Sequence, residues 1–281
     1  VTATEQTDIR AVIPAAGLGS RMLPVTKGVP KEMLPAGRKP LIQHVVEEAV
    51  ASGIREICVV IRAGKEVIRD YFLLRQPEAR KRGRDIEELE ALVARCELTF
   101  VYQQETRGLG DALLQAKDFV GRDSFVMMIP DQLARATTPA TLQLLRSRTS
   151  SAAVCSSLVR LPKEEARFFP GARGFEFERV GASEPLRMGR LLSEEEMREA
   201  YREVDYEIRG FGRTLYPPEI FDYLGRDFTN PETGEVDLSR TFETLTERLA
   251  HRGVLLAGEF FDVGTFEGYY RSLPRMWGEG L

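Results

Sequence analysis

The chain has 281 residues, 43% of them hydrophobic and 29% charged, with a formal net charge of −4. That length buries a sizeable core in one large α/β domain or two small ones, and the slight negative balance argues against a nucleic-acid binder. No apolar run approaches the roughly 18 to 20 residues that span a bilayer, so no membrane partner is expected. The polar start, Val1 to Asp8, has no signal-peptide core and reads as a loose tail. Cys58, Cys96 and Cys155 lie far apart in apolar surroundings and read as buried reduced thiols, which suits a cytoplasmic protein.

In chain order, Ala11 to Ile13 is a short first strand. Leu41, Ile42, Val45, Val46, Ala49 and Val50 repeat at helical spacing, with Gly53 as the stop. Glu56 to Ile61 reads as a buried strand, and residues 75 to 97 as a charged excursion whose Asp85-x-x-Glu88 opens a solvated helix. Leu98 to Tyr102 is a strand, Gly110 to Phe119 a helix, and Ser124 to Ile129 a central strand ending at Pro130-Asp131. Thr138-Pro139 opens a helix and Ala152 to Leu158 is the next strand. Beyond about residue 160 the pattern loosens. It holds a β-rich piece near 174 to 180, a helix boxed by Ser193-x-x-Glu196, and a strand Gly210 to Tyr216. Helices from Pro217 and from Ser239, a strand Val254 to Phe260 and a terminal helix to Trp277 complete it.

Strands alternating with crossover helices predict an α/β fold with a doubly wound, mixed but mostly parallel, Rossmann-like sheet. The chain reads as one domain, 1–281, with a nucleotide-binding half at 9–160 and a smaller β-rich half at 161–281. No repeat and no hexapeptide solenoid is present. Such sheets bind ligands beyond the carboxyl ends of their strands. His44 falls in a helical pattern and His251 near an expected helix end, where a cation suits the dipole.

One such end carries the main signal. Residues 14 to 35 read Pro-Ala-Ala-Gly-Leu-Gly-Ser-Arg-Met-Leu-Pro-Val-Thr-Lys-Gly-Val-Pro-Lys-Glu-Met-Leu-Pro. Small residues let backbone N–H groups approach a polyphosphate, and Arg21, Lys27 and Lys31 would neutralise it. Of seven lysines in the chain, three (Lys27, Lys31 and Lys39) fall within thirteen residues at and just beyond this stretch. Lys27 precedes Gly28 and Val29, so the Walker pattern fails; Met22 stands where a dinucleotide fingerprint needs its third glycine. Gln103 follows a strand and precedes Gly108-Leu109-Gly110, and a buried Gln can satisfy both faces of an imide. Asp131 and Asp262 each end a buried strand. Leu133 excludes the Asp-x-Asp of nucleotide-sugar glycosyltransferases.

The 22-residue string resembles the signature of the sugar-1-phosphate nucleotidylyltransferases, and its Lys-Glu-Met-Leu-Pro ending is most similar to the bacterial glucose-1-phosphate uridylyltransferases. The resemblance implies transfer of a nucleotidyl group from UTP to glucose 1-phosphate or a related acceptor, with no protein nucleophile. It implies that Ala15, Ala16, Gly17, Leu18 and Gly19 hold the nucleotide, that Gln103 and Gly108 read the base, and that Arg21 and Lys31 are the catalytic cations. Asp131 and Asp262 would hold Mg²⁺, the expected cofactor. Gly174, Arg190 and Glu235 would face the sugar phosphate. A homodimer or homotetramer is the expected assembly. In one place the family pattern breaks. Its Glu-Lys-Pro tripeptide falls on Gly189-Arg190-Leu191, and no lysine follows Lys163. A different acceptor, a modified sugar or cyclitol phosphate, and a non-catalytic nucleotide sensor are the alternatives.

Overall fold

The computed structural model describes residues 8–74, 84–147, 154–170, 172–178, 186–224, 236, 238 and 249–277. The N-terminal tail, the helix from Ser239 and Glu235 fall outside the described residues. The first half alternates β1 (Arg10–Pro14), α1 (Leu41–Ala51), β2 (Glu56–Ile61), α2 (Glu66–Leu73), α3 (Arg84–Val93), β3 (Glu97–Tyr102), α4 (Gly108–Gln115), β4 (Phe125–Met128), β5 (Gln132–Arg135) and α5 (Ala140–Arg146). The second holds β6 (Val154–Pro162), β7 (Gly174–Glu178), β8 (Leu186–Leu192), α6 (Glu194–Ala200), β9 (Tyr206–Tyr216), β10 (His251–Leu255), β11 (Glu259–Asp262) and α7 (Phe266–Trp277).

Among the described residues nine strands form one sheet, in the order β3-β2-β1-β4-β9-β6-β10-β8-β7. β3, β2, β1 and β4 are mutually parallel, β10 runs parallel to β6, and β9 and β8 run against their neighbours. Ala11, Val12 and Ile13 of β1 are fully buried, as a strand covered by helices on both faces must be. The same logic makes Ile57 to Ile61 of β2 apolar without alternation. In α1 the apolar side chains at helical spacing face this sheet, and Gly53 ends the helix in the left-handed region at φ +89°.

The structure departs from the sequence pattern at five places. Helix α4 begins at Gly108 and stops at Gln115, with a separate turn at Lys117–Val120. The helix after Pro217 is a single turn, Ile220–Tyr223. Strands β5 and β8 and helix α2 carry too short a period to be seen in the sequence. The run Val254 to Phe260 is two strands, because β10 belongs to the main sheet whereas β11 pairs with β5 in a separate ribbon. Gly258 lies at the break with φ +147°, where a Cβ would come 2.8 Å from that of Ala136.

The fifth departure is His251. It sits at the start of β10, 3% exposed, with Nε2 3.0 Å from Ser156 Oγ, and is not the cation expected there. Burial keeps the ring neutral and pushes its pKa down to about 3. The unfolded chain therefore binds one more proton between that value and the ordinary 6.5, so this residue's share of stability falls as pH drops from 6.5 toward 3. His251→Gln is expected to flatten the pH dependence of the urea midpoint across that window. An unchanged slope would count against a neutral buried ring.

Candidate nucleotide and phosphate site

The carboxyl end of β4, strand β9 and part of the loop after β1 surround a cleft of about 600 Å³. Arg21, Lys31, Gly108, Asp131, Gln132, Gly212 and Asp262 are among its lining residues. Arg21 and Lys31, in the loop after β1, form one wall, whereas Ala15, Ala16, Gly17, Leu18 and Gly19 of that loop are not among the lining residues. Ala15 donates its N–H to Val60 O (2.7 Å), and its own carbonyl accepts from Lys65 Nζ (2.8 Å). Gly17 and Leu18 are exposed, and a Cβ on Gly17 would meet nothing within 4 Å. No packing demand inside the chain calls for that glycine, which suits close approach of a ligand to the backbone. Gly19 does have an internal reason: its φ is +68°, and Thr26 closes the turn by donating from Oγ1 to its carbonyl at 2.8 Å. Lys27, counted among the loop's cations, is exposed and is not one of the cleft residues.

Sequence reasoning missed what holds this wall in place. Glu32 is 1% exposed and Lys65 3%, and they pair at 2.8 Å beneath Ala15. Burial lowers the Lys65 pKa, and Glu32 opposes the shift. The only sequence signal is a lysine just after a buried strand, which usually means a solvated loop.

Lys31 Nζ reaches Asp131 Oδ2 at 2.6 Å, and Arg21 Nη2 lies 4.0 Å from the same oxygen. Burial alone would raise the Asp131 carboxyl, but the Lys31 ammonium holds it below the ordinary value. Burial would lower Lys31, yet Asp131 and Glu32 hold it above its ordinary value. Lys31 is therefore charged, and it and Arg21 stand at one carboxylate.

Asp262 closes the cluster across the β5–β11 ribbon, where it pairs with Gln132. Its Oδ1 accepts from Gly264 N (3.0 Å) and its Oδ2 from Gln132 Nε2 (3.0 Å). Burial, then the neighbouring Asp131, pushes its pKa up to about 6. A Cβ on Gly264 would stand 2.4 Å from Asp131 Oδ2 and 3.2 Å from Asp262 Oδ1, so only glycine lets the two carboxylates approach. Two buried carboxylates that raise each other's cost of ionisation, with oxygen as the only donor, fit a hard divalent cation.

Gln103 is 3% exposed and donates from Nε2 to Asp111 Oδ2 (2.7 Å) and to Gly108 O (3.2 Å). Both amide hydrogens are thus committed within the chain. This takes up the donor face that the sequence offered to an imide carbonyl, and Gln103 is not among the cleft's lining residues. Gly108 has φ +85° and lines the cleft.

Of the expected sugar-phosphate residues, Gly174 and Arg190 are described, and neither lines the cleft. Gly174 is buried in β7, and a Cβ there would fall 2.0 Å from Met197 Sδ, which makes it a packing glycine. Arg190 is a correction. Its side chain is half exposed, pairs with Glu196 at 2.6 Å and Glu176 at 3.8 Å, and does not line the cleft; Leu191 does. Glu176 of the neighbouring β7 and Glu196 of α6 hold the guanidinium there.

A family model described as nucleotidyl transferase matches residues 10–169. The UTP–glucose-1-phosphate uridylyltransferase of Streptococcus pyogenes is 37% identical over 276 residues, covering 94% of this chain and 86% of that protein. Its namesake in Bacillus subtilis (strain 168) is 31% identical over 273 residues, covering 92% and 88%. A UTP-bound UGPase from Acinetobacter baumannii has a TM-score of 0.77 at 26% identity, covering 96% of this chain and 93% of that one. An apo UDP-glucose pyrophosphorylase shares the fold at a TM-score of 0.84 and 23% identity, covering 98% and 100%.

Proposed function

The chain belongs to the nucleotidyl transferase family, and from that premise we propose that it transfers the uridylyl group of UTP to glucose 1-phosphate, giving UDP-glucose and pyrophosphate. The observation that carries this reading is the meeting of Arg21, Lys31, Asp131 and Asp262 in one cleft beside the glycine loop. An acceptor phosphate oxygen forms a bond to the α-phosphorus as the bond from that phosphorus to the α,β-bridging oxygen breaks. The electron pair leaves with pyrophosphate. No protein nucleophile takes part, so the residues act by position and charge.

The backbone from Ala15 to Gly19 holds the phosphates, and Gln103 Oε1 accepts the base imide proton beside Gly108. Lys31 and Arg21 offset charge on the α-phosphate and the leaving group. Asp131 and Asp262 would hold Mg²⁺, which supplies Lewis-acid neutralisation of the phosphate oxygens. The assembly is a homodimer or homotetramer, working in the cytoplasm. The assay incubates the protein with each NTP, Mg²⁺ and a panel of sugar 1-phosphates, and measures pyrophosphate. Release with UTP and glucose 1-phosphate is the expected result.

A specific observation favours a second reading for the acceptor. Gly189 supplies no carboxylate and Arg190 is held outside the cleft, so the sugar half lacks the family's pair of readers there. A modified sugar or cyclitol phosphate as acceptor would turn over in the same panel while glucose 1-phosphate stays silent.

A further inference from the structure

Gln132 was absorbed by neither the motif nor the proposed chemistry, yet it lies between the paired carboxylates and the strand that crosses the cleft. It is 6% exposed and lines the cleft. Its Nε2 donates to Asp262 Oδ2 (3.0 Å), and its Oε1 accepts from Gly212 N (2.6 Å). Its main-chain carbonyl accepts from Arg213 Nη2 at 3.0 Å. We propose that Gln132 is a positioning residue that sets the rotation of the Asp262 carboxylate for the divalent cation. This rests on the reading of Asp131 and Asp262 as the cation's ligands.

The amide can point only one way. The Gly212 N–H can be met only by an acceptor, so the Oε1 end of the amide must face β9. The NH₂ end is then forced toward Asp262. A flipped amide would set a carbonyl oxygen against a carboxylate and leave the Gly212 N–H facing an NH₂ group. The orientation is therefore fixed by the backbone of a strand from the other half of the chain. A Cβ on Gly212 would lie 2.9 Å from Gln132 Oε1 and 2.5 Å from Ile129 Cβ, so glycine there keeps the approach open.

Asp262 thus receives one N–H on each oxygen, from Gly264 on Oδ1 and from Gln132 on Oδ2. A carboxylate oxygen has two lone-pair directions. One hydrogen bond to each stops the group from turning and leaves one direction on each oxygen for a cation. Partners of this kind govern metal affinity through orientation without touching the metal.

The test titrates Mn²⁺ into the full-length protein, alone and with UTP, and follows water-proton relaxation. Gln132→Met keeps length and bulk and removes both hydrogen bonds. Gln132→Asn keeps an amide that is one methylene too short to span Asp262 and Gly212. Each is expected to weaken Mn²⁺ binding by about tenfold or more, with UTP binding in EDTA unchanged by calorimetry. Wild-type Mn²⁺ affinity in both variants overturns the proposal. A parallel loss of metal-free UTP binding also overturns it, since that marks a general collapse of the cleft. No Mn²⁺ binding in the wild type would remove the ligand pair itself, a failure distinct from that of Gln132.

Discussion

Lys31→Ala is expected to lower the turnover of pyrophosphate formation by about 10²- to 10³-fold or more, the cost of removing one preorganised charge-stabilising group. The side chain is 16% exposed, and its ammonium sits 2.6 Å from Asp131 in the cleft. Substrate phosphates entering beside Asp131 bring further negative charge, and without Lys31 the cation left at that carboxylate among the described residues is Arg21, 4.0 Å away. The loss should appear in kcat, because the charge on the leaving pyrophosphate grows as the reaction proceeds. The fold should survive: Lys31 lies on a single 3₁₀ turn, Lys31–Met33, whose anchors are Glu32 and its neighbours. Asp131→Ala is expected to do the same. Pyrophosphate release at saturating UTP and acceptor is the measurement, with circular dichroism as the control for folding. Near-normal turnover in either variant would sink the assignment of these two residues.

The second large effect is on stability. Arg213 is fully buried, and its Nε and Nη2 donate to the two oxygens of Glu48 at 2.9 and 2.7 Å. The same guanidinium donates to the carbonyls of Ile129 and Gln132, both at 3.0 Å, on either side of Pro130-Asp131. Thr141 donates to Glu48 from N and Oγ1 at 2.9 and 2.7 Å. Glu48→Ala leaves a buried cation without its counter-charge and is expected to cost about 3 to 5 kcal/mol, read from urea denaturation. Replacing both partners with apolar residues, Glu48→Leu with Arg213→Met, should recover much of that stability. Activity should stay low, because the carbonyls that bracket Asp131 then lose their donor. A stable and fully active double variant would show that the clamp serves the fold alone.

The same pair makes stability depend on acid. Burial would raise the Glu48 carboxyl, but the Arg213 guanidinium holds it below the ordinary value of 4.5. Its contribution is present above the unfolded pKa and lost as pH falls through the folded one. Glu48→Gln removes that term, so its stability loss relative to wild type should shrink as pH drops below 4.5.

The legible parts of this protein were those written in local pattern. The loop from Pro14 to Pro35, the helical stripe of α1 and the unbroken apolar strands β1, β2 and β4 each follow from neighbours in sequence. Short-range geometry suffices there, because an anion cradle needs small residues and a doubly buried strand needs continuous apolar ones. Asp131 and Asp262 were visible as strand-terminal acids, but their approach across Gly264 joins positions 131 residues apart. The clamp of Glu48 on Arg213 spans 165 residues and the amide bridge of Gln132 to Gly212 spans 80, and nothing at either end signals the other.

Arg190 marks the same limit from the other side. Its place on the family's Glu-Lys-Pro tripeptide suggested a phosphate grip, yet Glu176 of β7 and Glu196 of α6 pair with it away from the cleft. Strand parity and a nearby opposite charge decide such a direction, and both depend on pairing partners supplied by other segments. The sequence by itself determined the family, the α/β order and the nucleotide loop. Only the tertiary structure decided which charges meet, because a buried ion pair is set by the packing of whole elements and not by the residues beside it.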